Sequence, residues 1–155
     1  MQERAVCLIG YQEIPADKCD HVYQELKREV HAALDDGYRT FLAEFKEGVG
    51  VLFIQCIEEA REQHTDIFLE VMIPAPKQCS FSREEQELCS LLSKSDGIFI
   101  QPDDYQADYP LAVTRYLVGR SHRVIAVHTE PLDRNTAYAM DYALTMERDL
   151  KVIAI

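Results

Sequence analysis

The stretch Arg4–Gly37, RAVCLIGYQEIPADKCDHVYQELKREVHAALDDG, decides how the rest of the chain is read. It opens with Arg4–Gly10, a near-continuous apolar strand bounded by a glycine. Asp17–Asp36 follows, with Val22, Leu26, Val30 and Leu34 at the four-residue spacing of one helix face. Gly37 stands where the helix should stop, because only glycine enters the left-handed C′ conformation without strain. A bland apolar strand feeding an amphipathic helix is half of a parallel crossover, since half-exposed antiparallel strands would alternate polar and apolar.

The same unit recurs outward from there. Tyr38–Phe45 is expected as a second strand and Val49–Gln63 as a second helix, with Leu52, Cys56 and Ala60 inward. Asp66–Ile73 is a third strand, closed by Pro74 and Pro76. Ser82 opens a helix with Glu85 three residues on, the reciprocal pattern of a capping box, and Leu88, Leu91 and Leu92 form its stripe. Gly97–Gln101 is a fourth strand, then come a helix over about Tyr109–Gly119 and a fifth strand, Arg123–His128. Asp133 or Asn135 caps a last helix carrying Ala137, Met140 and Leu144, and Lys151–Ile155 is a sixth strand. The expectation is a single three-layer, Rossmann-like α/β domain over 1–155, its mostly parallel sheet of about six strands covered by helices on both faces. Ligands on such sheets bind beyond the carboxyl ends of the strands. That points to the loops Gly10–Ala16, Lys46–Gly50, Pro74–Phe81, Gln101–Asp108 and Thr129–Asn135.

Composition narrows the partners. The 155 residues are 47% apolar and 28% charged, an ordinary globular balance with enough chain for its own core. Sixteen Lys+Arg against 27 Asp+Glu leave a net charge of -11, which repels phosphate backbones and anionic lipid. Neither nucleic acid nor a membrane is an expected partner. The five cysteines are scattered without a CxxC pair; Cys7 and Cys56 lie in apolar runs and read as core residues. Cys19 and His21 are two apart on a helix, a spacing that sends them to different faces and disfavours chelation. Ala5–Ile9 is too short for a signal or a span, and a cytoplasmic location is expected.

Three stretches carry candidate chemistry. Lys46-Glu47-Gly48-Val49-Gly50 lies at a strand-to-helix junction, where free backbone N–H groups attract an anion, although two glycines there also serve turn geometry alone. Arg115, Arg120, Arg123 and Arg134 form the one locally basic run, readable as a phosphate-binding rim or as arginines paired with neighbouring carboxylates. Asp103, Asp104 and Asp108 look like a polar loop rather than a metal cage, and no metal or cofactor is expected. His122 and His128 flank a strand without a nucleophile beside them.

With those features in place, the order of elements resembles the SLOG superfamily, and within it the small DUF1273/YpsA-like proteins. Leu8-Ile9-Gly10-Tyr11 stands where the family has a strand ending in Thr-Gly-His/Tyr. Phe45-Lys46-Glu47-Gly48-Val49-Gly50 replaces Gly-x-x-Gly-Val/Phe-Asp/Glu, with Gly48 matching the second glycine. Leu117-Val118-Gly119-Arg120-Ser121-His122 keeps Val118 and Ser121 of the pattern before the fifth strand, while Val113-Thr114 replaces Arg-Asn. In the last loop Arg134-Asn135-Thr136 stands for Gly-Gly-Thr and keeps only the threonine. The related phosphoribohydrolases carry Pro-Gly-Gly-x-Gly-Thr-x-x-Glu. Pro131 and Thr136 fall at that separation, but Leu132, Asp133 and Asn135 replace the glycines and Ala139 the catalytic glutamate.

The resemblance implies a Rossmann-like domain that binds a nucleotide or nucleotide-derived small molecule without turnover, with no catalytic residue. Gly10, Tyr11, Glu47, Gly48, Asn135 and Thr136 would line the cleft, and Arg115, Arg120 or Arg134 would supply positive charge. Two alternatives stay open. One is a nucleoside monophosphate phosphoribohydrolase with Glu47 as its acid. The other is a degenerate scaffold that binds protein, for instance as a homodimer through a helix face, its cleft filled by Phe45 and Arg134.

Overall fold

The structure is a computed structural model that describes residues 4–10, 14–44, 48–73, 97–100, 109–128 and 132–155. Strands β1 (Ala5–Gly10), β2 (Thr40–Glu44), β3 (Phe68–Ile73), β4 (Gly97–Ile100), β5 (Arg123–His128) and β6 (Asp149–Ala154) form one sheet in the order β4-β3-β2-β1-β5-β6. Every pairing is parallel. The described helices are α1 (Cys19–Asp35), α2 (Val49–Ala60), α3 (Tyr109–Arg120) and α4 (Arg134–Thr145), with a 3-10 turn over Ala16–Lys18 before α1. The chain is therefore an α/β domain of Rossmann-like architecture. The strands built outward from β1 to β4 give way to β5 on the other side of β1, so the order reverses between β1 and β5.

Strand side chains point alternately to the two faces, and the core divides accordingly. Val6, Leu8, Phe41, Leu69, Val71 and Ile125 pack with Val22, Leu26 and Val30 of α1 and with Phe53, Ile54 and Ile57 of α2. Cys7, Ile9, Leu42, Val124 and Ala126 pack with Val113, Leu117 and Val118 of α3 and with Ala139 and Ala143 of α4. These are the two helix layers.

The end of α1 follows from its sequence. Gly37 (φ 95°) takes the left-handed turn. Its N–H donates to Leu34 O, and the Tyr38 N–H donates to Ala33 O, both at 3.0 Å. That pair of bonds is the Schellman closure, which satisfies carbonyls the helix would leave open. At α4 the cap is Asp133, whose carboxylate accepts from Thr136 N at 3.1 Å.

One stripe needs correction. Ala137, Met140 and Leu144 were the expected inward residues of the last helix, but Thr136, Ala139 and Ala143 are buried and Leu144 is 59% exposed. Small side chains let α4 approach the sheet closely, so its buried stripe is rotated away from its large apolar residues. In α2 the inward set widens to Phe53, Ile54 and Ile57, and Leu52 is only partly buried. The helix opened by Ser82 lies outside the described residues. Among the described residues, no helix is long and apolar enough to cross a membrane.

Candidate functional site

The sheet has two edges of opposite character, and the site residues divide between them. Strands β2, β1 and β5 are neighbours, and their carboxyl ends bring together Gly10, the Gly48 turn before α2, and the start of α4 at Arg134, Asn135 and Thr136. This is the crevice where the strand order reverses, the place where open parallel sheets take their ligands.

Gly10 pairs with Val127 across the reversal. A Cβ built on it would lie 2.8 Å from Val127 O and 3.1 Å from Val127 Cβ, so only glycine lets β1 and β5 run this close. Gly48 is the N-cap of α2 at φ 70° and ψ -113°, a backbone state that L side chains adopt only under strain. Among the described residues no side chain caps α2, and its first turn holds no acidic residue. The positive end of its helix dipole meets no carboxylate from those residues.

The amino end of α4 is different. Asp133 already sets a carboxylate against it through the bond to Thr136 N, and Thr136 itself is 3% exposed. The other carboxylate oxygen, Oδ1, is buried without a hydrogen-bond partner. Arg134 and Asn135 are exposed beside it. A phosphate approaching this helix end meets a negative charge that already occupies it.

The basic run does not gather at one edge. Arg120 ends α3 at the amino edge of the sheet, where its Nη1 donates to a Glu70 carboxylate oxygen and, at 2.6 Å, to Tyr116 Oη. The expectation that Arg120 joins Arg134 at the ligand edge is corrected. A whole strand, β5, separates the two positions. Arg123 is at the amino edge as well, its side chain 8% exposed, donating to Asp36 at 2.6 Å and to Asp149 at 2.9 Å. Its guanidinium also lies over the Tyr38 ring, as does that of Arg4. Arg115 is exposed midway along α3. Tyr11, Phe45 and Glu47, with Asp103, Asp104 and Asp108, lie outside the described residues.

The buried thiols Cys7 and Cys56 are not set up for chemistry. Burial pushes the Cys7 thiol up to about 12, and burial with the nearby Glu59 carboxylate does the same for Cys56. At neutral pH neither supplies the thiolate a nucleophile needs. Among the described residues, no group of three or more His, Cys, Asp or Glu side chains is placed to hold a metal ion. His122 is tied to the fold, its Nδ1 accepting from Ala5 N at 3.4 Å.

Of the two caps the sequence offers for this helix, Asp133 is the one used; what the sequence reading did not draw from it is the negative charge that this cap sets at the start of α4. The signal was present, because an acidic residue three positions before Thr136 is the spacing at which a side chain reaches the N3 amide.

No family model matches this sequence, and no curated protein matches it. Among solved structures it is similar to a structural-genomics target, TM1055, at 15% identity and a TM-score of 0.59, covering 95% of this chain and 72% of that one. A sugar phosphate isomerase/epimerase from Parabacteroides distasonis is 11% identical over 99% of this chain and 63% of that one; its TM-score of 0.35 carries no argument. The likeness to TM1055 agrees with the strand order in giving the chain a Rossmann-like α/β fold.

Proposed function

We propose that this chain is a SLOG-like domain that binds a nucleotide or nucleotide-derived small molecule at the carboxyl edge of its sheet without turning it over. The observation that carries this reading is the reversal of strand order between β1 and β5, with the Gly10 and Gly48 turns beside it. The phosphate belongs at the start of α2, where backbone N–H groups and the helix dipole attract an anion. The start of α4 suits a neutral, hydroxyl-bearing part of the ligand, because its dipole is already matched by Asp133.

The absence of turnover rests on Ala139. The resemblance places a catalytic glutamate there, but the position is 2% exposed, on the face of α4 that packs into the core. A carboxylate could not reach a ligand from it, and Asp141 nearby is exposed on another face of the helix.

The test is a thermal-shift panel of nucleoside monophosphates, dinucleotides and sugar phosphates on the full chain. A ligand at ten times its Kd stabilises by about 1.4 kcal/mol. For a domain of this size that raises Tm by roughly 3–5 °C. The expected hit also moves the amides of Gly10, Gly48 and Thr136 in a 15N-labelled sample. A panel with no shift at millimolar concentration would sink the reading, as would release of free base from any monophosphate.

A further inference from the structure

A second hollow, of about 460 Å³, lies at the amino edge, away from the crevice. Its walls include Thr40 at the start of β2, Gly119, Arg120 and His122 from the end of α3 into β5, and Arg148 before β6. In a chain of net charge -11, a concavity with two arginines and a histidine in its wall stands apart. From this cluster we infer a binding site for a small phosphate monoester.

The case rests on counting donors. The carboxyl end of a helix exposes carbonyl oxygens and repels anions. Here Arg148 covers that end of α3, with Nε on Val118 O and Nη2 on Gly119 O, and it sends Nη1 to Met146 O, each at 3.2 Å. A guanidinium carries five N–H donors, so Arg148 keeps two after those three bonds. Arg120 spends both Nη1 hydrogens on Glu70 and Tyr116 and keeps its Nε–H and the Nη2 pair. Glu70 is held in turn by the Tyr116 hydroxyl, which donates to it at 3.2 Å. Because His122 Nδ1 accepts from Ala5 N, the ring proton sits on Nε2, one more donor.

These donors belong to two chain segments, Arg120 and His122 around the end of α3 and Arg148 before β6. Forked guanidinium donors from separate elements match the several non-bridging oxygens of a phosphoryl group. The volume lies within the roughly 300–1,000 Å³ of small-molecule sites. A bare phosphate would leave most of it empty, which is why the ligand class is a monoester with an organic part.

The probe is inorganic phosphate, then glycerol 2-phosphate, titrated into the 15N-labelled full chain at constant ionic strength with NaCl as counter-titrant. Saturable shifts are expected at the Gly119, Ser121, His122 and Arg148 amides, with a millimolar midpoint for phosphate and a lower one for the monoester. Arg120→Gln should raise the phosphate midpoint at least fivefold and His122→Gln about twofold. If Arg120→Gln loses its folded spectrum, Arg120→Lys replaces it, keeping the charge opposite Glu70 while removing the fork; the same weakening is expected. The inference is overturned if these amides respond no more to phosphate than to NaCl, or if the folded Arg120 variant keeps the wild-type midpoint. It is overturned too if the response is confined to Gly48, Val49 and Gly50, which is the outcome the carboxyl-edge reading alone would produce.

Discussion

The two edges of this sheet spend their charge differently. At the amino edge Arg123 is nine-tenths buried and bridges Asp36 and Asp149, while Arg4 and Arg123 share the Tyr38 ring. Arg148 closes the carbonyl end of α3, and Arg120 holds Glu70. At the carboxyl edge Arg134 and Asn135 are exposed, and among the described residues no side chain caps α2. Buried, mutually paired charges fix where chain segments lie, whereas exposed ones leave a surface that a ligand can reorganise at little cost. The paired charges at the amino edge therefore tie distant chain segments together, whereas Arg134 and Asn135 at the carboxyl edge are left in solvent.

The sharpest way to break that contrast is to delete an arginine on each side. Arg123→Ala strands two carboxylates and leaves a void against Tyr38. Breaking a fully buried pair costs 3–5 kcal/mol; with Asp36 and Asp149 54% and 43% exposed, about 2–3 kcal/mol is expected. Arg134→Ala should cost less than about 0.5 kcal/mol. Equal urea midpoints for the two variants would dissolve the distinction.

Glycines give the next largest effect. Gly10→Ala drives a methyl group into Val127 O across the β1–β5 junction, and overpacking of this kind costs about 2 kcal/mol. At the amino edge Gly119 has open space around its missing Cβ and sits inside α3. Gly119→Ala should therefore stabilise by about 0.5 kcal/mol, through helix propensity. Denaturant titration reads both signs. Gly48→Ala is intermediate, at roughly 1–2 kcal/mol for a strained φ. It should also abolish any ligand-induced Tm rise, and a retained rise would move the phosphate away from α2.

Much of the fold was legible because its signals are local. The four-residue stripe Val22–Leu34 and Gly37 named α1 and its end, and β5 was read with its bounds intact. The division of charge between edges was not legible, for a geometric reason. Arg120, Arg123 and Arg134 look like one cluster on paper, yet the six residues of β5 between them span about 20 Å. Each arginine's role was set by partners far along the chain: Asp36 lies 87 positions from Arg123, and Glu70 lies 50 from Arg120. No local pattern announces such pairs. The turn of α4 escaped for a related reason, because Ala139 and Ala143 pack closely without looking like a stripe beside Met140 and Leu144. Of the candidate site, the alternation of strands and helices assigned Gly10, Gly48 and Asn135 to loops at the carboxyl ends of the strands, and the family resemblance added Thr136. The charge each helix start presents depends on whether a side chain turns back onto its amides, which spacing suggests but does not decide.

The smallest effect tests that last point directly. Asp133→Asn keeps a side-chain oxygen for Thr136 N, and asparagine caps as well as aspartate, so the helix loses only the charge–dipole attraction, about 0.3–1 kcal/mol. What changes is the field above α4. A unit charge about 4 Å away repels a singly charged anion by about 1 kcal/mol in water, roughly fivefold in affinity. Removing it should let phosphate compete for the start of α4, so the Asn135 and Thr136 amides begin to shift with phosphate as the Gly48 amides do. If those amides stay silent in Asp133→Asn, burial of Thr136 rather than the aspartate charge keeps the two helix starts different. The contrast at this edge would then be steric, and Asp133 would serve only as a cap.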